Sequence, residues 1–311
     1  MPVRRYGRRS VETSNEDKLL FREPGITKGD LIDYYERVAE HLLPHLAERP
    51  LTVRRFPDGI DAEGFYQKQA SDHLPDWVRT TEVALRGSGG AQQLVVCDCE
   101  STLAYLANQA CIELHPWLSR DDRPDHPDVL IIDLDPPEDG FDAARDAALR
   151  VRDLLEGELA LPCFAKLSGS KGVHVTVPLD RSGDFDGVRA LARDAMELLA
   201  SRHGEALTVE QRKARRRGRV YLDTGRNAYG QTAVAPFSVR ALPQAPVAAP
   251  IAWRQLERRE LGPRDYTLRN LFRRIGRRDD PWQGMRRRAH ALGPARERMD
   301  RLRSDAGEEG G

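Results

Sequence analysis

Lysine is nearly missing from this chain. Only six of its 49 basic residues are lysine, namely Lys18, Lys28, Lys68, Lys166, Lys171 and Lys213. Arginine is therefore the ordinary surface cation, and each lysine marks a place that suits a compact ammonium with rotatable donors. Cysteine is scarce as well. Cys97, Cys99, Cys111 and Cys163 are the only four in 311 residues, too few for a disulfide framework. With His115 the first three supply zinc-type donors, but a C-x-C pair at the end of an apolar strand departs from the wider spacing of structural zinc sites, so zinc is the minor reading. No apolar run is long enough to cross a bilayer and there is no secretory leader pattern, so the expected location is cytoplasmic. Net charge is absent too, with 49 acidic residues against 49 basic ones. The signs are nevertheless separated. Arginines cluster at Arg4 to Arg9, Arg212 to Arg219 and Arg273 to Arg288, while acids dominate from Asp121 to Asp142. A neutral chain with that distribution can still offer a basic groove to nucleic acid.

What is present is organised around DVLIIDLDPPEDG, Asp128 to Gly140. Val129 to Ile132 is an unbroken apolar run of the kind that forms a strand buried on both faces. Asp133 and Asp135 close it. Residues two apart on a strand point the same way, so these carboxylates project together with Cα atoms about 6 to 7 Å apart. Pro136 and Pro137 stop the strand because neither donates to a sheet ladder. Two acids ending a core strand are costly unless a cation meets them, and a divalent ion that prefers carboxylate oxygen is the simplest such partner. The plainer alternative is a pair of solvated loop acids.

Further along, PCFAKLSGSKGVHVTVP, Pro162 to Pro178, predicts two strands joined by the glycine-rich turn Ser168 to Gly172. Parity puts Lys166 and Ser168 on one face and His174 and Thr176 on one face, with Val173, Val175 and Val177 on the other. The turn is not a Walker A loop, yet glycine, serine and lysine suit a phosphate. A plain hairpin turn would use the same residues. A basic run then leads into Val220 to Asp223, a short strand ending in a third carboxylate. Three such carboxylates can hold two metals for phosphoryl transfer.

Toward the N-terminus, Thr27 and Asp30 form a capping pair for a helix ending near Pro44. Residues 51–56 form a strand with Arg54 and Arg55 on opposite faces, and Phe65-Tyr66-Gln67-Lys68 sets aromatics beside a cation, as base stacking requires; core packing is the commoner fate of paired aromatics. Ser101 to Leu114 is expected to be a helix closed by His115. Helices are also expected over Asp142 to Leu155 and Asp186 to Arg202.

Asp133-x-Asp135, Ser168-Gly-Ser-Lys171-Gly172-x-His174 and Val-Tyr-Leu-Asp223, in that order, resemble the three motifs of the archaeo-eukaryotic primase superfamily. More closely, the chain resembles the polymerase domain of bacterial ligase D from non-homologous end joining, over about Glu12 to Tyr266. SNEDKLLF at Ser14 to Phe21, Thr27-Lys28, Arg54-Arg55, FYQKQ at Phe65 to Gln69, His115 and QTAVAPFSVR ending at Arg240 carry the rest of the likeness.

The resemblance implies an α+β fold with a central, mostly antiparallel sheet flanked by helices. It implies Asp133, Asp135 and Asp223 as catalytic ligands of two Mn2+ or Mg2+ ions. Arg55, His115, Ser168, Lys171, Gly172, His174 and Arg240 would bind the nucleotide. Asn15, Lys18 and Lys28 would bind a DNA 5′-phosphate, and Phe65 and Tyr66 would stack on the template. Implied partners are gapped or broken DNA with a 5′-phosphate, NTPs or dNTPs, a Ku-type protein and a separate ATP-dependent DNA ligase. Arg54, Tyr66 and Arg226 depart from residues common in relatives.

The corresponding division is a disordered basic arm over 1–12, a DNA-end and 5′-phosphate part over 13–120, a catalytic core over 121–250, and an arginine-rich helical segment over 251–311 whose tail frays from Ser304. Neither a ligase nucleophile motif nor a nuclease module is present, as expected for a stand-alone polymerase or an excised domain. Two competing readings are a DxD phosphatase and a non-catalytic DNA-end bridging module. The phosphatase leaves Asp223 and the Ser168 to His174 turn without work, and the bridge leaves the acid triad unused.

Overall fold

The residues that begin the chain pair with each other instead of trailing free. In the computed structural model, which describes residues 2–87, 89–138, 140–275 and 280–308, strands β1 (Val3–Tyr6) and β2 (Arg9–Glu12) form an antiparallel hairpin. The disordered arm expected over 1–12 is therefore corrected. The reason is tertiary: Arg4 meets Glu16 at 2.9 Å and Glu36 at 3.1 Å and also pairs with Asp33, while the Tyr6 hydroxyl donates to Glu36. Basic side chains that local sequence leaves solvated find carboxylates elsewhere in the fold.

The chain divides into two units. Unit 1 comprises Met1–Pro124, Thr232–Ala249 and Tyr266–Arg278; unit 2 comprises Asp125–Gln231, Pro250–Asp265 and Asp279–Gly311. This differs from boundaries near residues 120 and 250, because two stretches of the later chain return to unit 1.

In unit 1, β3 (Leu19–Phe21) and β4 (Ile26–Thr27) pair just ahead of helix α1 (Lys28–Leu46). Both halves of the capping box form, Asp30 N donating to Thr27 Oγ1 at 3.1 Å and Thr27 N to Asp30 Oδ2 at 2.8 Å. The helix buries Leu31, Ile32, Tyr35, Val38, Ala39 and Leu42 at helical spacing. It runs past the expected stop at Pro44, since a proline so close to the C-terminus forfeits one hydrogen bond in an element about to end. Beside it lies a five-stranded sheet in the order β6 (Phe65–Gln67), β5 (Pro50–Arg55), β8 (Ala91–Val96), β7 (Thr80–Ala84), with β9 (Cys111–Pro116) pairing β5 antiparallel. Helix α2 covers only Glu100–Asn108. The helix expected to reach Leu114 ends early because Ala110 takes a φ of +56° and turns the chain into β9. His115 consequently belongs to a strand and not to a helix end.

Unit 2 is built on a six-stranded sheet in the order β13 (Leu207–Thr208), β14 (Val220–Asp223), β10 (Val129–Asp135), β12 (Val173–Pro178), β11 (Phe164–Leu167), β15 (Pro250–Ile251), antiparallel except between β13 and β14. Ile132, Leu134, Val173, Val175 and Val177 are fully buried along one parity of the central strands, and helices α3 (Phe141–Arg152) and α4 (Phe185–Arg202) pack on this sheet. Asp184 caps α4 by accepting from Gly187 N at 2.8 Å. The C-terminal helix Leu292–Glu308 is tied to α4 by Asp194, which meets Arg296 at 2.6 Å and Arg303 at 2.9 Å. Helix persists through Ser304, where fraying was expected; residues 309–311 lie outside the described residues. The architecture is α+β, with helices and mainly antiparallel sheets as anticipated.

Candidate active site

The sheet of unit 2 brings together residues far apart in sequence by register alone. Asp133 on β10 stands opposite Asp223 on β14 and, on its other side, opposite His174 on β12; His174 in turn stands opposite Lys166 on β11. Directly paired residues of antiparallel strands have Cα atoms about 4.5 to 5.5 Å apart. Asp223, Asp133, His174 and Lys166 therefore form one transverse row, with Asp135 two residues along the same face.

An imidazole and two guanidiniums surround the acids. His174 Nε2 lies 3.3 Å from Asp133 Oδ1, Arg226 Nε 3.7 Å from Asp133 Oδ2, and Arg216 Nη1 3.9 Å from Asp135 Oδ2. Arg216 also stacks 4.1 Å over the ring of Tyr221, whose hydroxyl donates to Asp223 Oδ1 at 3.3 Å. Gly225 N donates to the same oxygen at 2.7 Å.

These cations do not cancel the crowding of negative charge. Burial, then the neighbouring Asp135 and Asp223, push Asp133 up to about 7 against the opposing charges of Arg226 and Lys166. Asp135 is raised too, by burial first, with Asp223 adding to it and Arg216 opposing. Among the described residues no three histidine, cysteine or acidic side chains already stand at the spacing of a formed metal centre. The donor chemistry fits nonetheless: three carboxylates on adjacent strand ends, one of them raised by burial and by its acidic neighbours, are what a hard divalent ion would relieve.

The turn between β11 and β12 is a compact loop. Ser168 N donates to Gly172 O at 3.0 Å, and Ser168 Oγ accepts from Ser170 N and Gly172 N, each at 3.2 Å. Arg264 Nε donates to Ser170 O at 2.9 Å from outside. A Cβ on Gly172 would lie 2.0 Å from Leu134 O, so only glycine lets the turn close over β10. Ser168 is thus first a brace for the loop, and Lys171 is its exposed charge.

Unit 1 holds the other sequence-derived candidates. Arg55 is fastened by Gln109 O at 3.0 Å, Gln67 Oε1 at 3.0 Å and Gln109 Oε1 at 3.3 Å, with Phe65 5.5 Å away for a cation–π contact. Phe65 and Tyr66 are 47% and 58% exposed, which rules out the core-packing alternative for this pair. His115 and Arg240 meet on one buried carboxylate, Glu113, at 3.0 and 3.1 Å.

The remaining group is Asn15, Lys18 and Lys28, gathered by backbone bonds from Lys18 N to Asn15 O at 3.0 Å and from Lys28 N to Lys18 O at 2.8 Å. Asn15 takes a φ of +49°, which the turn needs and asparagine tolerates. Lys18 pairs with Asp58 at 2.8 Å. The Lys28 ammonium is held below its ordinary range by burial and then by Lys18, a setting that favours an arriving anion.

Sequence reasoning missed Glu113, Lys166 and Arg216. Glu113 became visible only once Cys111–Pro116 was a strand, since i and i+2 then share a face with His115. Lys166 was placed on the correct face without a role.

Residues 27–282 match the model of the LigD primase-polymerase domain. The chain belongs to the LigD primase-polymerase family. Consistent with this, it is 34% identical over 302 residues to the multifunctional non-homologous end joining DNA repair protein LigD of Mycobacterium tuberculosis, covering 94% of this chain and 39% of that protein. It is 33% identical over 275 residues to the bifunctional non-homologous end joining protein LigD of Bacillus subtilis, covering 88% and 43% respectively. The chain thus spans about two-fifths of the length of these relatives. Among solved structures it superposes on the polymerase domain of Mycobacterium tuberculosis ligase D in complex with DNA, with a TM-score of 0.83, 32% identity, and coverage of 90% of this chain and 99% of that one. The fold is accordingly primase-like, and the LigD primase-polymerase family is one of metal-dependent nucleotidyltransferases. Among the described residues no helix is long and apolar enough to cross a membrane.

Proposed function

We propose that this chain is the polymerase of a non-homologous end-joining system, adding NTPs or dNTPs to a primer 3′ end at a gap or double-strand break. The observation that carries this reading is the row Asp223, Asp133, His174 and Lys166 across four strands of unit 2, with Asp135 beside it. Asp133, Asp135 and Asp223 would hold two Mn2+ or Mg2+ ions. Such ions supply an activated primer hydroxyl and neutralise charge on the triphosphate.

The remaining work falls to the chain's own groups. His174 orients Asp133 from the side, Ser168 and Gly172 keep the turn closed, and Lys171 presents a point charge to phosphate. Arg55, His115 and Arg240 are assigned to the nucleotide by family likeness. Asn15, Lys18 and Lys28 receive the 5′-phosphate on the far side of the gap, where a dianion relieves two adjacent ammoniums. Phe65 and Tyr66 stack on template bases. A cytoplasmic location, a Ku-type end-binding partner and a separate DNA ligase complete the reading.

Primer extension on gapped DNA with Mn2+ and NTPs is the test. Asp135→Ala is expected to lower extension by about a hundredfold or more, because a metal ligand supports several kcal/mol of transition-state charge, while gapped-DNA binding persists. Equal extension by wild type and variant, or phosphate release from a monoester without extension, would remove the polymerase reading.

A further inference from the structure

The carboxylate of Glu113 is among the most enclosed charges of unit 1, with its side chain 1% exposed. A buried carboxylate must be paired on every side to be tolerated. Its Oε2 faces His115 Nε2 at 3.0 Å; its Oε1 accepts from Arg240 Nε at 3.1 Å and from Ala241 N at 3.0 Å and lies 3.8 Å from Arg54 Nη1. Burial alone would push this acid up, yet His115, Arg240 and the Ala241 N–H hold it down to about 2. Oε2 has no hydrogen to give to the imidazole while the carboxylate is charged, so the tautomer that fits this contact carries its proton on His115 Nε2.

These partners are not ordinary core groups. His115 lies edge-on to the exposed Tyr66 ring at 5.7 Å, and Arg54 stacks under the same ring at 5.4 Å. The 232–249 stretch that delivers Arg240 is itself fastened to β9, through Ala235 N to Leu114 O at 2.8 Å and Leu114 N to Ser238 Oγ at 2.9 Å. Two guanidiniums around one carboxylate leave the cluster with a positive surplus, which suits a phosphate-bearing ligand.

We infer that Glu113 is a positioning residue, which fixes His115 and Arg240 for the nucleotide and couples them to the Tyr66 stacking platform. The inference rests on the polymerase reading in one respect only, the identity of the ligand that His115 and Arg240 meet. Buried ion pairs add little net stability compared with apolar packing, so the work this one does is orientation.

The experiment uses the full chain with Mn2+ and two readouts, binding of a fluorescent NTP analogue and primer extension on 5′-phosphorylated gapped DNA. Glu113→Gln keeps the shape and one acceptor while removing the charge. It is expected to weaken NTP binding and raise the NTP KM by about tenfold, leaving kcat within about threefold and gapped-DNA affinity within about twofold. Combined with His115→Ala and Arg240→Ala together, it should add less than about twofold, because both groups it positions are gone. Unchanged NTP binding, losses that multiply independently of the paired His115→Ala and Arg240→Ala changes, or a parallel loss of gapped-DNA binding would overturn the assignment. A wild-type chain that binds NTP but fails to extend would strike the polymerase reading instead, leaving Glu113 to be judged on the binding data.

Discussion

Asp133 and Glu113 are both buried acids, and their surroundings drive them in opposite directions. Glu113 is met by a histidine, two arginines and a backbone N–H, whereas Asp133 shares its strand end with Asp135 and Asp223. The consequence for stability follows from the sign of each shift. An acid whose folded pKa is raised contributes stability at low pH, which is lost as pH rises through about 7 for Asp133. Asp133→Asn should therefore stabilise the metal-stripped protein, with a gain that grows from about pH 4 to about pH 8 and reaches on the order of 4 kcal/mol. Urea unfolding in EDTA across that range measures it, and a gain independent of pH would contradict an electrostatic origin. The acids themselves were legible in DVLIIDLD; their mutual repulsion was not, because Asp223 becomes a neighbour only through strand pairing.

The β11–β12 hairpin is the element on which the site turns. Its strand parity follows from the alternation in VHVTV, and the glycine-rich turn sits where residue types alone put it. What the alternation leaves open is register, the fact that Lys166 faces His174 and His174 faces Asp133. Gly172 shows the tightness of that closure, since an added Cβ would meet Leu134 O at 2.0 Å. Gly172→Ala is expected to cost about 2 to 4 kcal/mol by forcing β10 and the turn apart, and to weaken NTP binding in step. A thermal melt within about 1 °C of wild type would show that the turn can yield. The α2–β9 region teaches the converse. Ala and Leu at helical spacing favoured one long helix, and the pairing of β9 with β5 overrode that preference beyond Asn108.

Across the whole molecule, formal neutrality conceals strong local charge. Lys18 and Lys28 lie far from the acids of the DLD strand in sequence and in a different unit. If they receive a 5′-phosphate, Lys28→Ala should weaken binding to phosphorylated gaps by about tenfold and reduce the slope of log K against log salt by about 1. Unphosphorylated gaps should lose little. Equal losses on both substrates would place Lys28 on the general DNA backbone instead.

Local chemistry determined a good part of this protein from sequence: the Thr27–Asp30 cap, the apolar strand ending in two acids and the hairpin turn. Each depends on residues within a few positions of one another, where backbone geometry alone sets direction. Tertiary structure alone decided the rest. It bound Arg4 to Glu36 and so ordered the first residues, set Asp223 opposite Asp133, and brought Glu113 to Arg240 across 127 residues of chain. Those contacts depend on which strands pair and in what register, which the buried surface of the whole unit selects and no short stretch encodes.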